Sequence, residues 1–382
     1  MEKIGLTSED EFVGDLPNLE SIDSLEIVPN DVLKSIVASF LAFSLMSSSI
    51  LGWTYTSIND GSVFDNSRWS RISDAYEEIA EADGTNVVFI GSSVFHYGID
   101  GTCLDEQGDN ENQHWNLAIL GDTPYNRILE LEMMKQLGAD MIVLEAGPNT
   151  FQGGLGGAEA RENRWQVLSL NNQLSISMEQ REVILGSDMD LILDSNFERL
   201  DFVSQVSTSG LDELAHRMIY AGESRRDSNG DEMLPARGSS DWIPKLKSPN
   251  TNSQEERLTE DEFEEYLNYI KDGEFWKPEL VNSANRRAFD LILEELEDAG
   301  VEVLLLSMPI HSELKTNLNP GWWDPFNETV EELSKDYHYI DLTWENWGDE
   351  NFYDPVHLSQ VGRNNVCLEI SDRIDIDRVK NA

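Results

Sequence analysis

The stretch NVVFIGSSVFHYGID, Asn86 to Asp100, decides the fold. Val87, Val88, Phe89 and Ile90 form a short continuous apolar run. That is the pattern of a central parallel strand, buried on both faces. The run ends on Gly91, Ser92 and Ser93, and a second glycine follows at Gly98. Small residues after a strand are usually turn chemistry. The sharper alternative is a serine nucleophile held at the edge of a sheet.

On either side of this stretch, helical and strand patterns alternate. Before it, WSRISDAYEEIAEADG places Ile72, Ala75, Tyr76 and Ile79 on one helical face and stops at Gly84. After it, HWNLAIL predicts a second strand. DTPYNRILELEMMKQLG predicts a helix with Thr123 as N-cap, Pro124 in its first turn and Gly138 as its stop. ADMIVLEAG predicts a third strand. From about 153 to 280 the alternation breaks into an insertion expected to be helical in part. It resumes with NSANRRAFDLILEELEDAG, whose stripe is Phe289, Ile292, Leu293 and Leu296, between Ser283 as cap and Gly300 as stop. VEVLLLSMP is a fourth strand, DPFNETVEELSKD a helix, YHYIDLT a fifth strand and LSQVGRNNVCLEISDRI a final helix. About five parallel strands covered by helices on both faces are expected, in an α/β fold.

Ligands of open parallel sheets bind beyond the carboxyl ends of the strands. There the strands deliver Gly91-Ser92-Ser93, Gly121-Asp122-Thr123, Gly147-Pro148-Asn149 and Ser307-Met308-Pro309-Ile310-His311. After the fifth strand, NFYDPVHLSQVG places Asp354 and His357 three residues apart before the last helix. These are the parts of an acyl-transfer site. A serine needs a base, which His357 can be. Asp354 can bond the other ring nitrogen and fix the tautomer. Backbone N–H groups at Ser93 and Gly121 and the Asn149 amide can hold an oxyanion. Each piece alone is ordinary turn or cap chemistry; the specificity lies in their order at successive strand ends.

The order and spacing resemble the SGNH hydrolase superfamily, the GDSL esterases and lipases. The four blocks are IGSSVFHYG, NLAILGDTP, EAGPN and DPVHLSQVG. The resemblance covers roughly 86–150 and 283–375. It implies a flavodoxin-like three-layer α/β/α sandwich, Ser93 as nucleophile, Gly121 and Asn149 in the oxyanion hole, Asp354 as orienting acid and His357 as base. It implies no cofactor and no metal. Where the family usually has G-D-S, this chain has G-S-S, which leaves Ser92 as the alternate nucleophile. That variant resembles membrane-anchored cell-envelope proteins of teichoic acid D-alanylation or alginate O-acetylation. The implied chemistry is ester hydrolysis or O-acyl transfer on an envelope glycan or lipid, with a membrane partner to supply acyl groups. The alternative is a non-catalytic carbohydrate-binding or assembly protein that keeps the fold. The two differ in whether His357 reaches Ser93. An α/β-hydrolase elbow, G-x-S-x-G, is excluded because Phe95 stands at its last position.

Other features carry less. His311 and His96 are candidates for lining the substrate site. Asp227, Asn229 and Asp231 have calcium-loop spacing, but the loop lacks its glycine and has Gly238 in place of the bidentate glutamate. Trp322 and Trp323 offer rings for a sugar or for the core, and Asn327 opens a glycosylation sequon. The formal net charge of -46, with 73 acidic against 27 basic residues, excludes a nucleic-acid backbone as partner. Cys103 and Cys367 form no metal-binding pattern, and a disulfide between them is open.

The chain begins with an acidic leader, 1–31, read as disordered. Ile36 to Trp53 is then uncharged over 18 residues, about the minimum for a membrane-spanning helix. A signal-anchor is expected over 32–55, holding a catalytic domain, 56–382, outside the cytoplasm.

Overall fold

The structure, a computed structural model, describes residues 32–43, 45–46, 49, 75–76, 78–108, 112–128, 131–151, 246–249, 257–272, 283–317 and 320–374. The chain divides into two units, Met1–Gly52 and Trp53–Ala382. In the first, residues 32–43 are helical, with Leu33, Ile36, Phe40 and Phe43 exposed. Among the described residues no helix is long and apolar enough to cross a membrane, so the expected span over 32–55 is not met by one. Residues 50–55 and the leader 1–31 lie outside the described residues.

The second unit is built on five parallel strands. They are β1 (Thr85–Ile90), β2 (Asn112–Asn116), β3 (Met141–Glu145), β4 (Glu302–Ser307) and β5 (His338–Asp341), in the order β2-β1-β3-β4-β5. Every residue of β3, and every residue of β1 after Thr85, is buried. The edge strand β5 buries only Ile340. Continuous apolar runs belong in the middle of a sheet covered on both faces, and these two strands occupy it.

The helices form two packed groups. Helices α1 (Ser93–Gly98) and α2 (Gly101–Gln107) pack with α9 (Gln360–Ser371). Helices α3 (Pro124–Arg127) and α4 (Leu131–Gln136) pack on α6 (Ala284–Asp298), and Arg286 of α6 reaches Glu332 of α8 (Pro320–Leu333). The chain moves one way in the sheet from β1 to β2 and the other way from β2 through β5. Right-handed crossovers therefore assign the two groups to opposite faces. Helix α5 (Glu260–Asp272) lies between β3 and β4 in the chain, and α7 (Ser312–Asn317) follows β4.

Most local expectations hold. Ala75, Tyr76 and Ile79 are buried, as are Phe289, Ile292, Leu293 and Leu296 of α6. Ser283 caps α6 by accepting from the Arg286 N–H at 3.0 Å, and Gly300 ends it with φ at +75°. Three boundaries differ. The second strand stops at Asn116 instead of Leu120. The Asn116 side chain donates to the carbonyls of Phe95 and Ile99 and accepts from the Ala118 N–H, while the Leu117 and Ile119 N–H groups still donate to the Phe89 and Gly91 carbonyls of the neighbouring strand and the turn after it. The helix predicted over 122–138 is in two pieces, and α8 begins at Pro320, ahead of the expected Asp324. Of the insertion at 153–280, α5 is helical; most of the rest, with Asp227, Asn229 and Asp231, lies outside the described residues.

Cys103 of α2 and Cys367 of α9 form a disulfide, with a Cα–Cα distance of 6.3 Å and a sequence separation of 264. The Arg363 guanidinium donates to the Ile99 carbonyl at 3.1 Å, again 264 residues away.

Candidate active site

In the order β2-β1-β3, the chain leaves β1 for one side and returns on the other. A crevice opens where the direction reverses, at the carboxyl ends of β1 and β3. Gly91-Ser92-Ser93 and Gly147-Pro148-Asn149 both leave the sheet there. Ile90 pairs with Leu144, so Gly91 stands beside Glu145.

This neighbour explains the glycine and the first serine. A Cβ at Gly91 would stand 2.6 Å from Glu145 Oε2, so any side chain there would displace the carboxylate. That carboxylate is fully buried. It accepts from the Ser92 N–H at 2.5 Å, the Ser92 hydroxyl at 3.0 Å and the Asn149 amide at 3.0 Å. Ser92 is also the N-cap of α1, accepting from the Val94 N–H at 3.3 Å. Its hydroxyl is thus committed on all sides. Ser93 begins the helix, where backbone N–H groups lack intrahelical partners.

The loop before α9 supplies the base. Asp354 Oδ1 accepts the backbone N–H groups of Val356 and His357, both at 2.8 Å, which curls the loop and turns Oδ2 toward the ring. Oδ2 lies 2.7 Å from His357 Nδ1. On the far side, His357 Nε2 lies 2.8 Å from Ser93 Oγ. The loop is closed by Tyr353 N–H to His357 carbonyl at 2.9 Å and by Ser359 N–H to Asn351 carbonyl at 2.9 Å. Gly362 is needed here, because a Cβ on it would collide with the Asn351 carbonyl. Tyr97, one turn after Ser93, sets its ring edge-to-face on His357 at 5.2 Å. Of the two serines, Ser93 is the one the structure brings to the histidine. The arrangement can pass a proton from a serine hydroxyl to an imidazole whose tautomer a carboxylate fixes.

Asn149 has the geometry of a donor. Its Nδ2 lies 3.2 Å from Ser92 Oγ and 3.0 Å from Glu145 Oε1, themselves 3.0 Å apart. This triangle puts the two acceptors about 58° apart as seen from Nδ2, whereas the N–H bonds of a planar amide diverge by roughly 120°. Two acceptors so close together hold the amide from one side, beside the Ser92–Ser93 turn. Gly121 adopts φ of +66°, a conformation that suits glycine. It follows Ile119, whose N–H donates to the Gly91 carbonyl at 2.8 Å.

The other two candidate histidines are placed elsewhere. His311 is fully buried and directly precedes α7, its Nδ1 accepting the Glu313 N–H at 3.2 Å and its Nε2 facing Asp349 at 3.1 Å. Phe263 and Phe352 pack edge-on against it. Burial holds its pKa below the usual histidine value, against the pull of the Asp349 carboxylate. Its backbone N–H donates to the Pro355 carbonyl at 3.3 Å, so it braces the Asp354–His357 loop instead of facing the serine. His96 is buried, with Nδ1 3.3 Å from the Ala118 carbonyl.

Two residues escaped the sequence reading. Glu145 had a signal, an acid ending an otherwise apolar strand four residues before Asn149. Tyr266 of α5 had none. Its hydroxyl is pushed up to about 12, first by burial and then by the nearby Asp354 carboxylate. Among the described residues no group of three His, Cys, Asp or Glu side chains could hold a metal ion.

No family profile and no curated protein sequence matches this chain. Among solved structures it is similar to the lipase/acylhydrolase from Enterococcus faecalis, at 11% identity over 76% of this chain and 96% of that one, with a TM-score of 0.32. At that score the likeness carries no argument, and the chemistry rests on the geometry above.

Proposed function

We propose that this chain is a serine-dependent esterase or O-acyltransferase of the SGNH kind, working through an acyl-serine intermediate. The observation that carries it is the unbroken line from Ser93 Oγ through His357 to Asp354, at 2.8 and 2.7 Å. Ser93 Oγ bonds to the ester carbonyl carbon as its proton passes to His357 Nε2. The tetrahedral oxyanion takes hydrogen bonds from the Ser93 and Gly121 N–H groups and from Asn149. Collapse breaks the carbon–oxygen bond to the alcohol, which leaves with the proton from His357. Water, or a sugar hydroxyl, then attacks the acyl-serine by the reverse sequence, giving a free acid or a new ester.

An envelope glycan or lipid is the proposed setting. The Cys103–Cys367 disulfide supports a domain folded in an oxidising compartment. The exposed apolar side chains of residues 32–43 support attachment to lipid, with a membrane partner supplying acyl groups.

The test is fluorophosphonate labelling of the full chain, read by intact mass and peptide mapping. One adduct on Ser93, lost in His357→Ala, is expected. No adduct on folded protein would overturn the proposal and leave a non-catalytic binding protein.

A further inference from the structure

Glu145 ends β3 as a fully buried carboxylate in an otherwise apolar strand. Among the described residues its side-chain donors are all neutral: the Ser92 N–H at 2.5 Å, the Ser92 hydroxyl at 3.0 Å and the Asn149 amide at 3.0 Å. A buried carboxylate with no cation beside it costs free energy, and an apolar residue of similar volume often fills such a place without that cost. Nor is the side chain needed to close the turn after β3. The Thr150 N–H donates to the Gly147 carbonyl at 3.0 Å, and the Thr150 hydroxyl donates to the Glu145 backbone carbonyl at 3.3 Å. The carboxylate reaches instead across the sheet, to the turn that follows β1.

Ser92 and Asn149 come from two different strand ends, and the one carboxylate binds both. The Ser92 hydroxyl gives its proton to Glu145 Oε1 and accepts from the Val94 N–H at 3.3 Å and from the Asn149 amide at 3.2 Å. One donor and two acceptor positions are all that a hydroxyl has. Ser92 is thereby withheld from attack, which falls to Ser93, the serine that meets His357. At the other end of the amide, a Cβ on Gly147 would stand 3.1 Å from Asn149 Oδ1, so the backbone packs close there.

We infer that Glu145 is a positioning residue for acyl transfer. It clamps the Ser92–Ser93 turn to Asn149, so that the Ser93 N–H and the Asn149 amide are set relative to each other before an ester arrives. The inference rests on the acyl-serine reading, and Glu145 acts through Ser92 and Asn149, not on the ester itself. Donors fixed in advance stabilise an oxyanion without reorganising during the reaction. A misplacement of about 1 Å in such a site costs about 10²-fold in rate. A glutamine at 145 would keep the size but offer one oxygen, and its NH₂ group would face a donor at the other position.

The test follows p-nitrophenyl acetate turnover by the full chain. The kcat is taken per Ser93 that accepts a fluorophosphonate adduct, so unfolded molecules in a preparation do not count. Glu145→Gln is expected to lower kcat by about 10²-fold with KM little changed. In an Asn149→Ala background the same change should cost less than about tenfold, because the donor that Glu145 places is already gone. Ser92→Ala cuts the clamp at its other end and leaves Glu145 in place; it should lower kcat about tenfold, the worth of one hydrogen bond. If Glu145→Gln does not fold, the Ser92→Ala result decides alone. Full kcat in the variants that fold, a loss confined to KM, or an undiminished loss in the Asn149→Ala background overturns the inference. If Ser93 still takes its adduct, that failure leaves the triad standing. A wild type that takes no adduct on Ser93 and releases no nitrophenolate overturns the acyl-serine reading, and this inference with it.

Discussion

Three of the described histidines, His114, His311 and His357, sit beside an aspartate, and the last two differ in nearly everything else. At His357 the carboxylate is buried and the ring edge faces a serine; the two side chains are 8% and 13% exposed. At His311 the ring is buried at 1% while Asp349 is 62% exposed. The deciding atom is the second ring nitrogen. In His357 it meets Ser93 Oγ; in His311 it is consumed by the Glu313 N–H. A histidine–aspartate pair is therefore a base only where the far nitrogen is left to something that can give up a proton. The two pairs also touch, through the His311 N–H and the Pro355 carbonyl. The second pair thus supports the loop that holds the first.

The largest effect expected from breaking this contrast lies at the reactive pair. Ser93→Ala and His357→Ala should each lower kcat/KM by about 10⁴-fold or more with the fold retained by circular dichroism. The matching change at His311 should cost activity far less. Next comes Asp354→Asn, which keeps the shape but removes the acceptor that fixes the His357 tautomer. A fall of about 10³–10⁴-fold in kcat, with KM little changed, is expected from steady-state kinetics. Asn149→Ala should cost about 10²–10³-fold in kcat by removing one oxyanion donor, while the Ser93–His357 bond remains.

The smallest effect concerns pH and sharpens the comparison at His311. Its folded pKa lies below its unfolded value, so the unfolded state takes up the proton first as pH falls. The stability tied to the neutral ring is complete above the unfolded value, near 6.5, and is lost as pH falls through it toward the folded value. His311→Asn should lower the urea midpoint at pH 7.5 and flatten its decline between pH 7 and 5. An identical decline in wild type and variant would remove His311 from the acid sensitivity.

Much of this site could be read from the sequence, because the fold delivers its chemistry at strand ends. An apolar run followed by small polar residues marks such an end without any knowledge of contacts. Asp354 and His357 could be read because the pair lies within one short loop, where the Asp354 carboxylate caps backbone N–H groups. What could not be read depends on contacts across the sheet. Nothing local to Glu145 says that its carboxylate lies under Ser92, since the register of β1 and β3 puts it there. The end of β2 was misread for the same reason, as Asn116 bonds to carbonyls 17 and 21 residues earlier. His311 looked available beside the site, yet α5, from the far end of the insertion, brings Phe263 onto its ring.

The repeated separation of 264 residues has a consequence in time. Ser93 meets His357, Ile99 meets Arg363 and Cys103 meets Cys367 at that one spacing. The early helices and the late loop therefore dock as two matched rails. A nascent chain synthesised as far as β5 already holds its serine and its amide, but no base. On the proposed mechanism the base arrives only with the late residues, which the disulfide ties to the early helices. Until then the emerging chain would be inert toward any ester it met.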